Sequence, residues 1–162
     1  MYITIYTLFA QCLDDQTPEG MQDIEKFHQR LCSGEPQPTI VLKGWAKLLL
    51  DAYTHWSPIP ANLIVSSTLN FITSTTIAKG QLIRRETQLG SGKSWASYSR
   101  QLDGLGDAYA AFTFPSALYP DVSQFLQAIP DMAMYIVHAN DIISLVLHVS
   151  YSSYPRYSLT RN

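Results

Sequence analysis

The chain has 162 residues, 46% of them apolar, and a formal net charge of −2 at neutral pH. This length is enough for one domain with a hydrophobic core, and the nearly balanced charge argues against nucleic acid or an anionic membrane surface as a partner. Cys12 and Cys32 show no metal-binding spacing. They are typical of reduced intracellular thiols, so we expect a cytoplasmic protein; pairing of the two in a disulfide is the alternative.

The first half of the chain is predicted to form four helices, because apolar residues recur there at helical spacing. The helices are expected over Tyr2–Leu13, Pro18–Cys32, Thr39–Trp56 and Ala61–Ala78. The last of these carries no charge, as a membrane span would, but its many Ser and Thr residues favour a buried core helix. Its β-branched residues are also compatible with a β-strand, which is the alternative prediction for this segment.

The second half is predicted to continue with short helices and one long final helix. The short helices are expected over Trp95–Leu102, Asp107–Phe114 and Val122–Ala128, and Pro130 would lie in the first turn of the long one. Between the first two short helices, the two glycines of Asp103-Gly104-Leu105-Gly106 favour a bend. The resulting fold class is all-α, with a helical core over residues 1–149 and an irregular tail over 150–162.

The final helix combines an apolar run with a polar stripe. Apolar residues at helical spacing predict a face packed in a core, namely Met134, Val137, Ile142, Leu145 and Val149. Asn140, Ser144 and His148 follow each other every fourth residue and therefore share one side of the helix. Oxygen donors on an apolar wall are costly unless they are satisfied. Either Mg²⁺ or hydrogen bonds to neighbouring groups could satisfy them.

Two further stretches carry groups suited to a charged ligand. Asp14-Asp15 closes the first helix, where two adjacent carboxylates repel each other and lie at the negative end of the helix dipole. A bound cation would make this arrangement favourable. Arg100 lies one turn before the predicted bend, with Asp103 placed to orient it, and a guanidinium can bind phosphate with paired donors. Taken singly, each stretch is equally compatible with a solvated helix end or a surface arginine.

Together, these three stretches resemble the motifs of class I terpene cyclases, and most closely those of the fungal trichodiene synthase family. Asp14-Asp15 matches the start of the aspartate-rich motif. Arg100, Asp103 and Gly104 match the diphosphate-sensing arginine, the linker and the effector glycine. Asn140, Asp141 and Ser144 match the second metal-binding motif, Asn-Asp-x-x-Ser-x-x-x-Glu.

The resemblance implies a partial class I terpenoid synthase bundle that ionises and cyclises farnesyl diphosphate with release of diphosphate. Mg²⁺ would be held by Asp14, Asn140 and Ser144. The diphosphate would be bound by Asp15, Arg100 and Asp141, with Arg100, Asp103 and Gly104 as the catalytic group. The carbocation would lie against aromatic side chains, for which the candidates are Phe71, Trp95, Tyr109 and Phe112. The resemblance is also compatible with assembly of the chain into a homodimer.

The sequence also departs from the family. His148 and Leu147 stand where the second metal motif has glutamate and lysine, and imidazole is a poor Mg²⁺ ligand. Pro18 occupies the fifth position of the aspartate-rich motif. The resemblance ends near Ser144, so the chain reads as a cyclase truncated at both ends. We therefore expect exposed apolar surface and little cyclase activity; the alternative function is a non-catalytic helical homologue.

Overall fold

The computed structural model describes residues 1–14, 20–79 and 94–152, and for Asp14 and residues 147–152 it describes the backbone alone. Every regular element within these ranges is helical, which confirms the all-α class. Eight α-helices are described: α1 (Tyr2–Asp14), α2 (Met21–Glu25), α3 (Phe27–Ser33), α4 (Ile40–His55), α5 (Pro58–Lys79), α6 (Trp95–Asp103), α7 (Gly106–Phe112) and α8 (Ile129–Ser152). Two 3₁₀ segments, Val122–Gln124 and Leu126–Ala128, precede α8.

Local sequence explains where several helices begin and end. The Thr39 hydroxyl accepts a hydrogen bond from the Leu42 N–H at 3.2 Å and caps the start of α4. Gly34 has a φ of +75° and ends α3 in the left-handed conformation that glycine tolerates best. Pro58 lies at the first position of α5, where the missing N–H costs nothing.

The main core is aromatic and is centred on Trp45 of α4. The Trp45 side chain is fully buried and packs against the rings of Tyr6, Phe27 and Phe71. The Tyr6 hydroxyl pairs with the Thr68 hydroxyl at 2.5 Å, and Thr68 also donates to the Ile64 carbonyl. The aromatic rings thus join α1, α3, α4 and α5 into one layer of the core.

Small side chains on α5 and α7 let these two helices approach closely. Ala61, Ser67 and Thr68 of α5 are buried, as are Ala108 and Ala111 of α7. Their burial confirms the prediction that the 61–78 segment is a core helix and removes the strand alternative. Within the described residues, no helix is long and apolar enough to cross a membrane.

Three element boundaries differ from the prediction. The segment predicted as Pro18–Cys32 is divided at Lys26 into α2 and α3, and residues 18 and 19 lie outside the described ranges. The predicted helix over 122–128 is instead two 3₁₀ turns around Phe125, whose buried ring stacks on Phe114 at a centroid distance of 4.1 Å. The tail predicted to start at residue 150 is instead still helical up to Ser152, where α8 ends, and residues 153–162 lie outside the described ranges.

The prediction of a packed apolar face along the whole of α8 is wrong for its second half. Ile129 and Ala133 are buried, whereas Ile142 and Leu145 are 63% and 64% exposed. Met134 is also exposed, and the side chain of Val149 is not described. The first turns of α8 have α7 and the 3₁₀ segments to pack against, and the later turns lack an equivalent neighbour among the described residues. This exposed apolar surface agrees with the expectation for a partial bundle and predicts low solubility.

His28 couples the packing of α3 on α5 to pH. Its Nε2 lies 2.9 Å from the Leu69 carbonyl oxygen, and burial of the ring lowers its pKa below the usual 6.5. The unfolded chain therefore binds more protons than the folded one, so the free energy of unfolding should fall as the pH drops below about 6.5. Urea denaturation between pH 7.5 and pH 5 measures this change. His28→Gln should flatten the dependence of the free energy of unfolding on pH, whereas the control His138→Gln, at an exposed histidine, should not. If the dependence were unchanged in His28→Gln, His28 would not be its source.

Candidate functional site

A cleft of about 470 Å³ opens between α1, α5, α6, α7 and α8. It gathers most of the motif residues that are distant in sequence onto shared walls. Its lining consists of Thr7, Ala10, Gln11, Phe71, Arg100, Asp103, Gly104, Leu105, Tyr109, Ile136, Asn140 and Ser144. Polar groups from three helices therefore meet apolar and aromatic groups in one space, as a ligand with a charged end and a hydrocarbon end would require.

Arg100 joins α6 to α8 through paired hydrogen bonds to Asp141. Its Nε donates to Asp141 Oδ2 at 3.0 Å, and its Nη2 lies 2.6 Å from Asp141 Oδ1. Nη2 also donates to the Val137 carbonyl at 3.3 Å. Nη1 is 3.7 Å from Asp103 Oδ2, which is beyond hydrogen-bond distance. Among the described residues, Nη1 of Arg100 thus has an ion-pair partner but no hydrogen bond, so its N–H groups can still donate to an anion in the cleft.

Asp141 is the partner that orients this guanidinium. The hydrogen bonds from Arg100 hold the pKa of the Asp141 carboxyl below its usual value of 3.8. Asp141 therefore stays ionised at every pH above that value, and the pair persists across the neutral range. The geometry places Asp141 as a support for Arg100, and its predicted contact with the substrate stays a prediction.

The bend between α6 and α7 forms where the glycines predicted it, but for another reason. Gly104 keeps an ordinary right-handed backbone with φ −74°, and Gly106 begins α7. The residue in the left-handed region is Leu105, with φ 47°. A branched side chain adopts that conformation only under constraint from its surroundings, and strain of this kind concentrates at functional sites.

The two glycines are required here for space. A Cβ atom on Gly104 would approach Val137 Cγ2 to 2.6 Å, and one on Gly106 would approach the Ala133 carbonyl oxygen to 2.8 Å. The bend therefore sits directly against the backbone of α8. This close approach is what brings Arg100 of α6 within reach of Asp141.

Asn140 and Ser144 line the cleft one helical turn apart, as the shared stripe predicted. Both side chains are exposed, and neither makes a side-chain hydrogen bond to another described residue. An amide oxygen and a hydroxyl without partners are suitable ligands for a hard cation such as Mg²⁺. No cluster of three His, Cys, Asp or Glu side chains occurs in the described ranges; Asp103 is the carboxylate that lines the same cleft within these ranges.

The aspartate pair lies at the limit of the described residues. Asp14 is the last residue of α1, three positions after Gln11, which lines the cleft. Its backbone therefore continues from the cleft wall, but its side chain is not described. Asp15 lies outside the described ranges. The predicted roles of Asp14 in metal binding and of Asp15 in substrate binding stay predictions.

The structure separates the four candidate aromatic residues. Phe71 and Tyr109 line the cleft. Phe112 is 4% exposed and packs behind them, with its ring against Tyr6 and Tyr109. Trp95 lies at the start of α6 beside Tyr98 and is not among the lining residues. Of the four, Phe71 and Tyr109 are therefore placed where they could contact the predicted carbocation in the cleft.

Sequence reasoning missed five residues of the cleft wall: Thr7, Ala10, Gln11, Leu105 and Ile136. Thr7 and Gln11 stand four positions apart in an otherwise apolar helix, so their spacing could have revealed a polar stripe on α1. The conformation of Leu105 leaves no sequence pattern, and an isoleucine on a helix resembles any core residue. These two could be found only from the packing.

Comparison with known proteins shows which family the chain resembles. The model of the trichodiene synthase family matches residues 1–156. The chain is 38% identical over 147 residues to longiborneol synthase of Gibberella zeae, covering 89% of this chain and 43% of that protein. It is 36% identical over 144 residues to terpene synthase BipA of Cochliobolus sativus, covering 89% of this chain and 44% of the relative.

A further relative is the (E)-beta farnesene synthase of Metarhizium brunneum, 30% identical over 146 residues, with 88% of this chain and 44% of the relative aligned. The chain thus spans less than half the length of these relatives. The family match extends beyond Ser144, where the sequence motifs alone had suggested that the resemblance ends.

Proposed function

The chain belongs to the trichodiene synthase family of terpene synthases, and from this membership we propose that it binds an isoprenoid diphosphate, with farnesyl diphosphate as the substrate, for Mg²⁺-dependent ionisation and cyclisation. The observation that carries the proposal is the cleft itself. Arg100 on α6, the 103–106 bend, and Asn140 and Ser144 on α8 line one space. They are the residues that match the family motifs.

Residues at the polar part of the cleft suit a diphosphate. Asn140 and Ser144 supply oxygen ligands, and Mg²⁺ bound there would neutralise charge on the leaving group. Arg100 offers its Nη1 donors while Asp141 fixes the plane of the guanidinium. Donors held in advance at the position where negative charge develops lower the barrier to ionisation.

Residues of the apolar part suit the hydrocarbon. Phe71, Leu105, Tyr109 and Ile136 line it, and aromatic faces attract a carbocation through their quadrupole. Tyr109 is held from two sides, because its ring meets Tyr6 and Phe112 edge to face at 6.0 and 5.6 Å. A fixed aromatic wall would guide the folding of a flexible isoprenoid chain.

The test is binding of inorganic diphosphate with and without Mg²⁺, measured by isothermal titration calorimetry. We expect Mg²⁺-dependent binding that Asn140→Ala weakens at least tenfold, because a metal ligand is lost. The matched control is Asn70→Ala, which removes another exposed helical asparagine, on α5 and outside the cleft lining. An equal loss of diphosphate affinity in both variants, or binding that does not depend on Mg²⁺, would contradict the metal site.

A second candidate function is that of a non-catalytic homologue, which the histidine at position 148 favours. The family motif has a metal-binding glutamate there, and this chain is therefore expected to turn over farnesyl diphosphate slowly or not at all. Gas chromatography–mass spectrometry of the products separates the two functions. A cyclic product at normal turnover that is lost in Asn140→Ala would exclude the non-catalytic function. We expect that Leu147→Lys combined with His148→Glu will not restore turnover.

A further inference from the structure

We propose that Thr7, Gln11 and Tyr109 form a polar subsite in the cleft wall that holds one water molecule for capture of the carbocation, so that the product is a cyclic terpene alcohol. This inference rests on the proposed isoprenoid chemistry. It concerns the fate of the cation, which the diphosphate-binding residues do not determine.

The hydroxyls of Thr7 and Tyr109 establish which atoms face the water. The Thr7 hydroxyl donates its only proton to the Ile3 carbonyl at 3.0 Å and lies 2.8 Å from the Tyr109 hydroxyl. Tyr109 must therefore be the donor in that pair, which leaves its oxygen with unused lone pairs. Tyr109 lines the cleft, and in the proposed subsite this oxygen is the first acceptor for the water.

Gln11 provides a second acceptor one turn along the same helix. Its side chain lines the cleft and makes no hydrogen bond to another described residue. Thr7 and Gln11 are four residues apart, so their Cβ atoms are separated by about 6 Å. Because the Tyr109 hydroxyl lies 2.8 Å from that of Thr7, Gln11 lies on the same part of the cleft wall as the Tyr109 hydroxyl, and the proposed water lies between the Tyr109 and Gln11 oxygens.

A water held by two acceptors is oriented as a nucleophile. If it donates one proton to Tyr109 Oη and the other to Gln11 Oε1, its lone pairs point away from both, toward the hydrocarbon. Attack forms a bond from the water oxygen to the cationic carbon and yields an oxonium ion. The oxonium ion loses its proton through the Gln11 amide oxygen to bulk water, because Gln11 is exposed. One water is consumed and one neutral alcohol is formed.

The subsite can be tested without turnover by comparing two probes of similar shape. Equilibrium dialysis would measure binding of the alcohol cedrol and of the hydrocarbon cedrene to the full chain. We expect the wild type to prefer cedrol by five- to tenfold, the gain from one or two net hydrogen bonds. Gln11→Leu and Tyr109→Phe should each bring this ratio close to one. Gln29→Leu, a change at an exposed glutamine of α3, should leave it unchanged.

Equal binding of the two probes by the wild type, or an unchanged preference in Gln11→Leu, would overturn the subsite. Where farnesyl diphosphate is turned over, reaction in ¹⁸O-water should give a cyclic alcohol heavier by two mass units, and Gln11→Leu should shift the product toward hydrocarbon. Hydrocarbon alone from the wild type, or only acyclic alcohols, would contradict the proposal. Failure to bind diphosphate would instead contradict the proposed function, and the dialysis result would still decide the subsite.

Discussion

Replacing Arg100 with methionine is expected to weaken Mg²⁺-dependent binding of inorganic diphosphate by about a hundredfold. Hydrogen bonds to a charged group contribute roughly 1.5–3 kcal/mol each, and two such bonds from Nη1 at the lower end of that range, about 3 kcal/mol together, correspond to about that loss. Methionine keeps much of the aliphatic volume, so the packing between α6 and α8 is largely retained. The same change should lower turnover, where it can be measured, by about 10²–10³, the usual cost of losing one electrostatic donor.

Arg30 offers a matched control for this experiment. It is also a helical arginine in an ion pair, with Asp23 at 3.4 Å, but it lies on α3 away from the cleft lining. Arg30→Met removes an equal charge and is therefore matched to Arg100→Met. Because Arg30 lies away from the cleft, the change should leave the dissociation constant for diphosphate within about twofold. If Arg100→Met bound diphosphate as tightly as Arg30→Met, Arg100 would have no role in anion binding.

Gly106→Ala is expected to lower the free energy of unfolding by about 2 kcal/mol and to disturb the site. The new Cβ would lie 2.8 Å from the Ala133 carbonyl oxygen, which is backbone and cannot rotate away. Overpacking typically costs 1–3 kcal/mol, partly offset by the better helix propensity of alanine. Because α8 must move outward, the Arg100–Asp141 pair should lengthen and diphosphate binding should weaken.

Thermal or urea denaturation measures the first effect and calorimetry the second. The control is Gly34→Ala, at a glycine with φ +75° and no atom within 4 Å of the added Cβ. It should cost about 1 kcal/mol through backbone strain alone and should leave diphosphate binding intact. If Gly106→Ala were as stable as the parent chain, or weakened diphosphate binding no more than Gly34→Ala does, α7–α8 contact would not position the site.

The bend between α6 and α7 shows how far sequence reasoning extends. Two glycines in three residues correctly located the break, because few other residues interrupt a helix there so readily. The prediction of a bend did not say which residue would have the unusual backbone angles, and Leu105 adopts them. Glycine patterns alone cannot distinguish a need for conformational freedom from a need for space, since both remove a Cβ atom.

The sequence by itself determined the helical class, most helix boundaries and the identity of the motif residues. Helical periodicity and residue type are local properties, so they are readable without neighbours. It also placed Asn140 and Ser144 on one side of α8, because helix geometry fixes residues four apart.

Only the tertiary structure decided which of these groups meet. The pairing of Arg100 with Asp141, the inclusion of Thr7 and Gln11 in the cleft wall, and the position of Phe112 behind it depend on how helices distant in sequence pack. The exposed second half of α8 was misjudged for the same reason. An apolar stripe reports that burial would be favourable, but whether a neighbour covers it is a property of the assembled fold.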